Sequence, residues 1–284
     1  MNPGHETTLA ESELQRGIDC GELLRVYQPI VDVASGGPRY VEALLRWEHP
    51  ARGLLSPKDF FLDEQDSAVL VRIGWAVVIE AVSRAGDWRR GYPHHPIAVS
   101  VNLSVGHLTV RDLSGRVAHL LRDNELPDHA LAFEFSEGTL LTHRPRHRDR
   151  LLGLRNLGVE IIIDDFGGVT AATDVAPSVL RDWAADLLGS LGRFPLDVIK
   201  LDPRFVERLV AGDGRPEFVA DVVDAAHTAG LRVIALAVET DADAARTVSA
   251  GFDLAQGFHF HRPVPPNDID SLLRAPRVVR GRCG

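Results

Sequence analysis

Residues 159–164 read VEIIID, a β-branched run that stops at Asp164 and is followed at once by Asp165. Near-continuous apolar character belongs to a strand covered on both faces, the condition of a buried parallel sheet. Immediately before it, residues 146–157 carry a helical pattern closed by Gly158, the usual position of a helix-ending glycine. Working outward, strands are expected at 131–135, 97–103 (IAVSVNL), 40–47 (YVEALLRW) and 25–33 (RVYQPIVDV) on one side. On the other side they fall at 196–201 (LDVIKL), 231–235 and 254–260. Helical periods lie between them. The clearest is 67–90, with Val69, Leu70, Ile73, Val77, Val78 and Ala81 on one face. Others span 106–124, 177–191, 217–229 and 241–250. Strands alternating with helices predict a parallel sheet. A closed (β/α)8 barrel needs about 250 residues, which nearly consumes this chain of 284. The expected fold is therefore α/β, a TIM-type barrel in one domain over 23–273. A short helical leader (1–22) precedes it and an Arg-rich tail (274–284) follows.

The bulk composition narrows the function. Lys plus Arg is 31 against 40 Asp plus Glu, a formal net charge of -9. Such a chain has no basic footprint for duplex nucleic acid. The two cysteines, Cys20 and Cys283, form no CxxC pair, so neither a zinc site nor a disulfide framework is expected. No apolar run reaches the ~20 residues of a membrane span, and residues 1–17 lack the apolar core of a signal peptide. The expected setting is cytoplasmic, with no membrane contact. No GxGxxG or GxxxxGK[ST] phosphate loop is found.

Polar residues recur where the apolar strands end. Glu42 lies in the second strand and Asn102 ends the third. Glu134 and Glu137 end the fourth, Asp164 and Asp165 the fifth, Lys200 and Asp202 the sixth; Glu239 follows the seventh and Gln256 belongs to the eighth. In a barrel these ends converge on one face, where active sites sit. So many carboxylates on one rim repel one another unless one or two cations join them. Carboxylates with one amide oxygen, and neither Cys nor His, suit a hard ion such as Mg2+ or Mn2+. Two such ions ~4 Å apart activate a water and stabilise the leaving oxygen of a phosphodiester. Blander alternatives exist: Glu42 paired with Arg46, Asp164 and Asp165 as helix caps, Lys200 paired with Asp202, and Gln256 as a structural amide. His143 and His147, spaced i, i+4, are read as a solvated helix start, and His259 and His261 are given no role.

These residues sit in motifs that resemble the EAL domains of cyclic di-GMP signalling. Glu42-Ala43-Leu44 is the signature, continuing to Arg46. YQPIVD at 27–32, LLSPKDF at 54–60, VNLS at 101–104, EFSE at 134–137 and DDFG at 164–167 follow the family's order. So do KLD at 200–202, VET at 238–240 and QGFHFHRP at 256–263. The resemblance implies a phosphodiesterase that hydrolyses cyclic di-GMP to pGpG with a metal-activated water. It further implies that Glu42, Asn102, Glu134 and Asp164 hold a first metal and that Asp165 helps hold a second. Lys200 then orients the water, Gln28, Arg46 and Gln256 touch the ligand, and Glu239 lies near the second metal or the ligand.

Two departures stand out. The family pattern Ala-Glu-Gly-Val-Glu is here Ala235-Leu236-Ala237-Val238-Glu239, so a carboxylate is replaced by Leu236. After DDFG the usual Thr-Gly-Tyr-Ser-Ser-Leu is replaced by Gly168-Val169-Thr170-Ala171-Ala172-Thr173. The run to Lys200 is also longer than the family's. Glu137, the family's anchor for that loop, remains. The resemblance implies a homodimer through this region, and the altered 168–194 stretch is a candidate surface for a protein partner. The departures lead to the expectation of a weak enzyme or a catalytically inactive cyclic di-GMP receptor.

Overall fold

The computed structural model describes residues 11–60, 68–142, 144–168, 189, 194–204, 207 and 217–274. Helix α1 (Glu11–Asp19) leads into strand β1 (Leu23–Asp32), which turns back into β2 (Pro38–His49) and a short outer strand β3 (Gly53–Leu55). Helices α2 (Pro57–Phe60) and α3 (Ala68–Gly91) precede β4 (Ala98–Asn102), and α4 (Val105–Thr109) and α5 (Leu113–Asp123) precede β5 (Leu131–Ser136). After α6 (Glu137–Thr142) and α7 (Arg144–Arg155) come β6 (Glu160–Phe166) and β7 (Val198–Leu201). The rest is α8 (Glu217–Thr228), β8 (Arg232–Ala235), α9 (Asp241–Ser249), β9 (Leu254–Ala255) and α10 (Pro266–Arg274).

The sheet runs β1-β9-β8-β7-β6-β5-β4-β2-β3, and the extra β1–β2 pairing closes it into a barrel of eight strands with β3 outside. Every barrel pairing from β2 round to β9 is parallel, but β1 is antiparallel to both neighbours. The all-parallel expectation fails at this strand for a physical reason. Residues 33–37 are too few for a parallel crossover, which takes a dozen or more, so 23–49 must fold as a hairpin.

Other departures are local. The helix expected over 106–124 is broken into α4 and α5 at Asp112, whose φ is 55°. The last strand ends at Ala255 rather than 260, because Gly257 presses against Val238: a Cβ there would meet the Val238 oxygen at 2.0 Å. His147 is buried, not solvated. The helix expected at 177–191 lies outside the described residues, Gly189 apart. So do residues 1–10, the 275–284 tail and nearly all of the 168–194 stretch. Helix α1 is a packed cap: Leu14 is buried and Gly17 abuts the Trp47 ring. No helix of the described residues is long and apolar enough to cross a membrane.

Two cores result. The larger lies between barrel and helices; α3 contributes Ile73, Val77, Val78, Ala81 and Trp88, and Trp88 meets the Tyr27 ring edge-on at 5.1 Å. The smaller fills the barrel with one residue from each strand: Ile30, Tyr40, Ala98, Ala132, Ile162, Val198, Ile234 and Leu254. Side chains alternate along a strand, so residues two positions away also face inward. What stands there decides the chemistry.

Candidate functional site

Two residues toward the C-terminal mouth from the apolar ring, parallel strands β2 and β4 to β7 present Glu42, Ser100, Glu134, Asp164 and Lys200. Leu236 and Gln256 follow just past β8 and β9, and antiparallel β1 presents Gln28 two residues earlier in its chain. This second ring is polar except at Leu236, which packs on the apolar ring beneath it. A cavity of about 280 Å³ opens above, lined by Gln28, Glu42, Asp164, Asp165, Lys200 and Leu236, with Ala237, Glu239, Gln256, Gly257 and Phe258.

Glu42 is the most committed acceptor. Its Oε1 receives the Asn102 amide at 2.6 Å; its Oε2 receives Lys200 Nζ at 2.9 Å and the Gln256 amide at 2.8 Å. Lys200 Nζ also stands 2.5 Å from Glu134 Oε2. Lys200 is therefore paired with ring carboxylates and not with Asp202, which instead receives Arg204 Nη2 at 2.7 Å. Gln28 Nε2 donates to the His261 carbonyl, and the Gln28 oxygen receives Gln256 Nε2 at 3.3 Å. Arg46 turns its guanidinium to the Leu45 carbonyl and does not line the cavity. Asn102 is exposed at the rim while still bonded to Glu42.

Burial and mutual charge divide the acids. Burial, reinforced by the Glu42 charge and opposed by Lys200, pushes the Glu134 carboxyl up to about 8. Burial also raises Asp164 to about 6, against the pull of Lys200. Glu42 is held below its usual value: burial opposes its charge, but Lys200 and the amides of Gln256 and Asn102 outweigh burial. Lys200 is held well above its usual value, since Glu134, Glu42 and Asp164 outweigh burial. Acceptors remain in excess. Glu134 Oε1 and Asp164 Oδ1 are buried with no hydrogen-bond donor.

Orphaned carboxylate oxygens in this ring fit a hard divalent cation. Among the described residues, however, no three His, Cys, Asp or Glu side chains converge on one point at metal spacing. The Lys200 ammonium stands in the gap.

Asp165 escapes the strand alternation through an irregularity. The β6–β7 register slips between Ile163 and Phe166, Asp165 takes a φ of 53°, and its carboxylate is exposed at the cavity wall. Such a bulge re-aims one side chain. Glu137 opens α6 and accepts the Gly167 N–H at 2.7 Å, tying itself to the end of β6. Glu239 is exposed and also lines the cavity, past the end of β8. The structure adds one residue to the site: Phe258 is 47% exposed at the mouth, its ring 4.2 Å from the Arg262 guanidinium carbon. An aromatic directly after Gln256-Gly257 was its only signal in the sequence.

A sequence model described as the EAL domain matches residues 11–174 and 185–263. An uncharacterised protein of Mycobacterium tuberculosis is 33% identical over 260 residues, covering 89% of this chain and 79% of the relative. The cyclic di-GMP phosphodiesterase RocR of Pseudomonas aeruginosa is 28% identical over 254 residues, covering 89% of this chain and 60% of RocR. Among solved structures, the PaMucR phosphodiesterase in complex with c-di-GMP superposes with a TM-score of 0.77 at 29% identity, covering 91% of this chain and 98% of that one. The EAL domain of Mycobacterium smegmatis DcpA gives a TM-score of 0.69 at 27% identity, covering 90% and 99%.

Proposed function

The chain belongs to the EAL domain family, and from that premise we propose that it binds cyclic di-GMP at the barrel mouth and hydrolyses it slowly to linear pGpG. The observation that carries this is the polar ring, with Glu42, Glu134, Asp164 and Lys200 converging under the cavity and acceptor oxygens left over. Glu42, Asn102, Glu134 and Asp164 are the residues that would hold a first divalent cation, Mg2+ or Mn2+, with Asp165 serving a second. A bound cation supplies acidification of water and charge neutralisation at phosphate.

The chain's own groups do the rest. Lys200 places a positive charge beside the attacked phosphate, where negative charge grows as water oxygen bonds to phosphorus and the bond to the 3′ oxygen breaks. Gln28 and Gln256 present amides at the wall to the ligand. Glu239 lines the same cavity past the end of β8 and would receive the proton released from water. The 3′ oxygen takes up a proton from solvent as its bond to phosphorus breaks, giving the linear product with a free 3′ hydroxyl and a 5′ phosphate.

Leu236 favours a second reading, binding without turnover. It stands where the family pattern has a carboxylate, and it can neither ligate a cation nor take a proton. Each ~1.4 kcal/mol of lost transition-state stabilisation is a factor of ten in rate, so a deficit of several orders of magnitude is expected. The test mixes purified protein with cyclic di-GMP and Mg2+ or Mn2+, following binding by calorimetry and product by chromatography. Binding with slow pGpG formation is expected, and Leu236→Glu should raise the rate at least about tenfold. Binding with no pGpG from either protein leaves the receptor; no binding removes both readings.

A further inference from the structure

We propose that Lys200 is the resident counter-ion of the acidic ring: its ammonium keeps the place of a divalent cation between Glu42 and Glu134 and must leave when one enters. This rests on the reading that the ring takes a divalent ion. The geometry is specific. Lys200 is 1% exposed, and its Nζ contacts Glu42 Oε2 at 2.9 Å and Glu134 Oε2 at 2.5 Å. An ammonium is a compact charge with three donors on a flexible stem, well suited to stand in for a small ion.

Competition follows from the accounting of lone pairs. Both oxygens of Glu42 already accept hydrogen bonds, from Asn102 on one side and from Lys200 and Gln256 on the other. A cation reaching Glu42 Oε2 must displace at least one of them. Lys200 carries the charge that a cation replaces. The ammonium also under-serves the ring: one positive charge faces Glu42, Glu134 and Asp164, and Glu134 Oε1 and Asp164 Oδ1 stay without a donor. A divalent ion supplies the missing charge and uses those oxygens. Leu236, the apolar member of the ring, offers the lysine no alternative carboxylate. The freed ammonium has the cavity to move into, where the ligand's phosphate would lie. Cation entry would thereby deliver a positive charge to the substrate, and the ring would regain one resident positive charge when the cation leaves.

The chain makes this measurable, because it contains only two lysines, Lys58 and Lys200. Lys58 is exposed. In protein labelled with 15N-lysine, the two side-chain ammonium signals are distinguished by Lys200→Arg, which removes one. On titration with Mg2+ in the absence of nucleotide, the Lys200 signal should shift or be lost to exchange while that of Lys58 stays fixed. A Lys200 signal unmoved while calorimetry shows Mg2+ bound would overturn the proposal and leave the proposed function standing. Absence of Mg2+ binding would remove the reading beneath both. As a second measurement, Lys200→Met should bind Mg2+ about tenfold or more tightly than the wild type. It should also melt at lower temperature without Mg2+ and regain stability with it. Equal or weaker Mg2+ affinity in a folded Lys200→Met protein would count against the lysine as competitor.

Discussion

Ala237 has a φ of 54°, in the left-handed region where a Cβ crowds the backbone. The family pattern has glycine at this position, beside the carboxylate that Leu236 replaces, so two adjacent residues depart together. Ala237→Gly should relieve the strain and stabilise the protein by about 0.5–1 kcal/mol, a rise in melting temperature of about 2 °C. Thermal denaturation tests it, and an unchanged or lower midpoint would show that neighbouring contacts already absorb the strain. Leu236 was legible as a lost ligand from the motif alone. Its place in a ring otherwise polar was not, because membership of the ring depends on how eight strands are staggered. Asp165 shows the same limit. Adjacent aspartates in a strand point opposite ways, and only the slipped register between Ile163 and Phe166 brings Asp165 to the cavity wall.

At the scale of elements, Glu137 joins the start of α6 to the end of β6. It is buried, and burial pushes its carboxyl up to about 7, helped by Asp165 and Asp202 and opposed by the Gly167 N–H. A carboxyl raised in the folded state keeps its proton where the unfolded chain has lost it. Its contribution therefore destabilises the fold progressively as pH rises from the ordinary glutamate value through about 7. Glu137→Gln retains an oxygen for the Gly167 N–H and cannot ionise. Urea titrations at several pH values should show the variant and wild type nearly equal near pH 5, with the variant gaining as pH rises to about 8. Parallel curves would mean that Glu137 does not ionise in that range. Most elements were legible from apolar period and glycine punctuation, as with the helix ended by Gly158. The hairpin of β1 and β2 hides behind the alternation of strand and helix, although the shortness of 33–37 forbids a parallel crossover. The apolar run 254–260 overstates strand β9, since nothing local announces that Gly257 lies against Val238.

For the molecule as a whole, the apolar ring separates the mouth from a second polar cluster at the barrel floor. Glu160 receives the Tyr40 hydroxyl at 2.7 Å and Arg232 Nη2 at 2.5 Å, and Arg232 also donates to the Tyr40 oxygen at 2.8 Å. Removing one partner of a buried pair strands the other. Because Arg232 is partly exposed and can regain water, Glu160→Leu should cost about 2–3 kcal/mol. Mg2+ affinity at the mouth should be unaffected. Chemical denaturation and calorimetry check the two halves, and a loss of Mg2+ binding at full stability would show that the ends of the barrel communicate. The reversed direction of β1 has an architectural consequence. The chain enters the barrel from the mouth, where α1 rests on Trp47, and α10 ends beside Tyr92, just past the end of α3, where Arg274 reaches the tyrosine hydroxyl at 3.0 Å. The polypeptide thus has a polarity: cargo fused ahead of α1 would attach on the outer wall at the mouth end, while cargo fused behind α10 would attach at the opposite pole, away from the entrance.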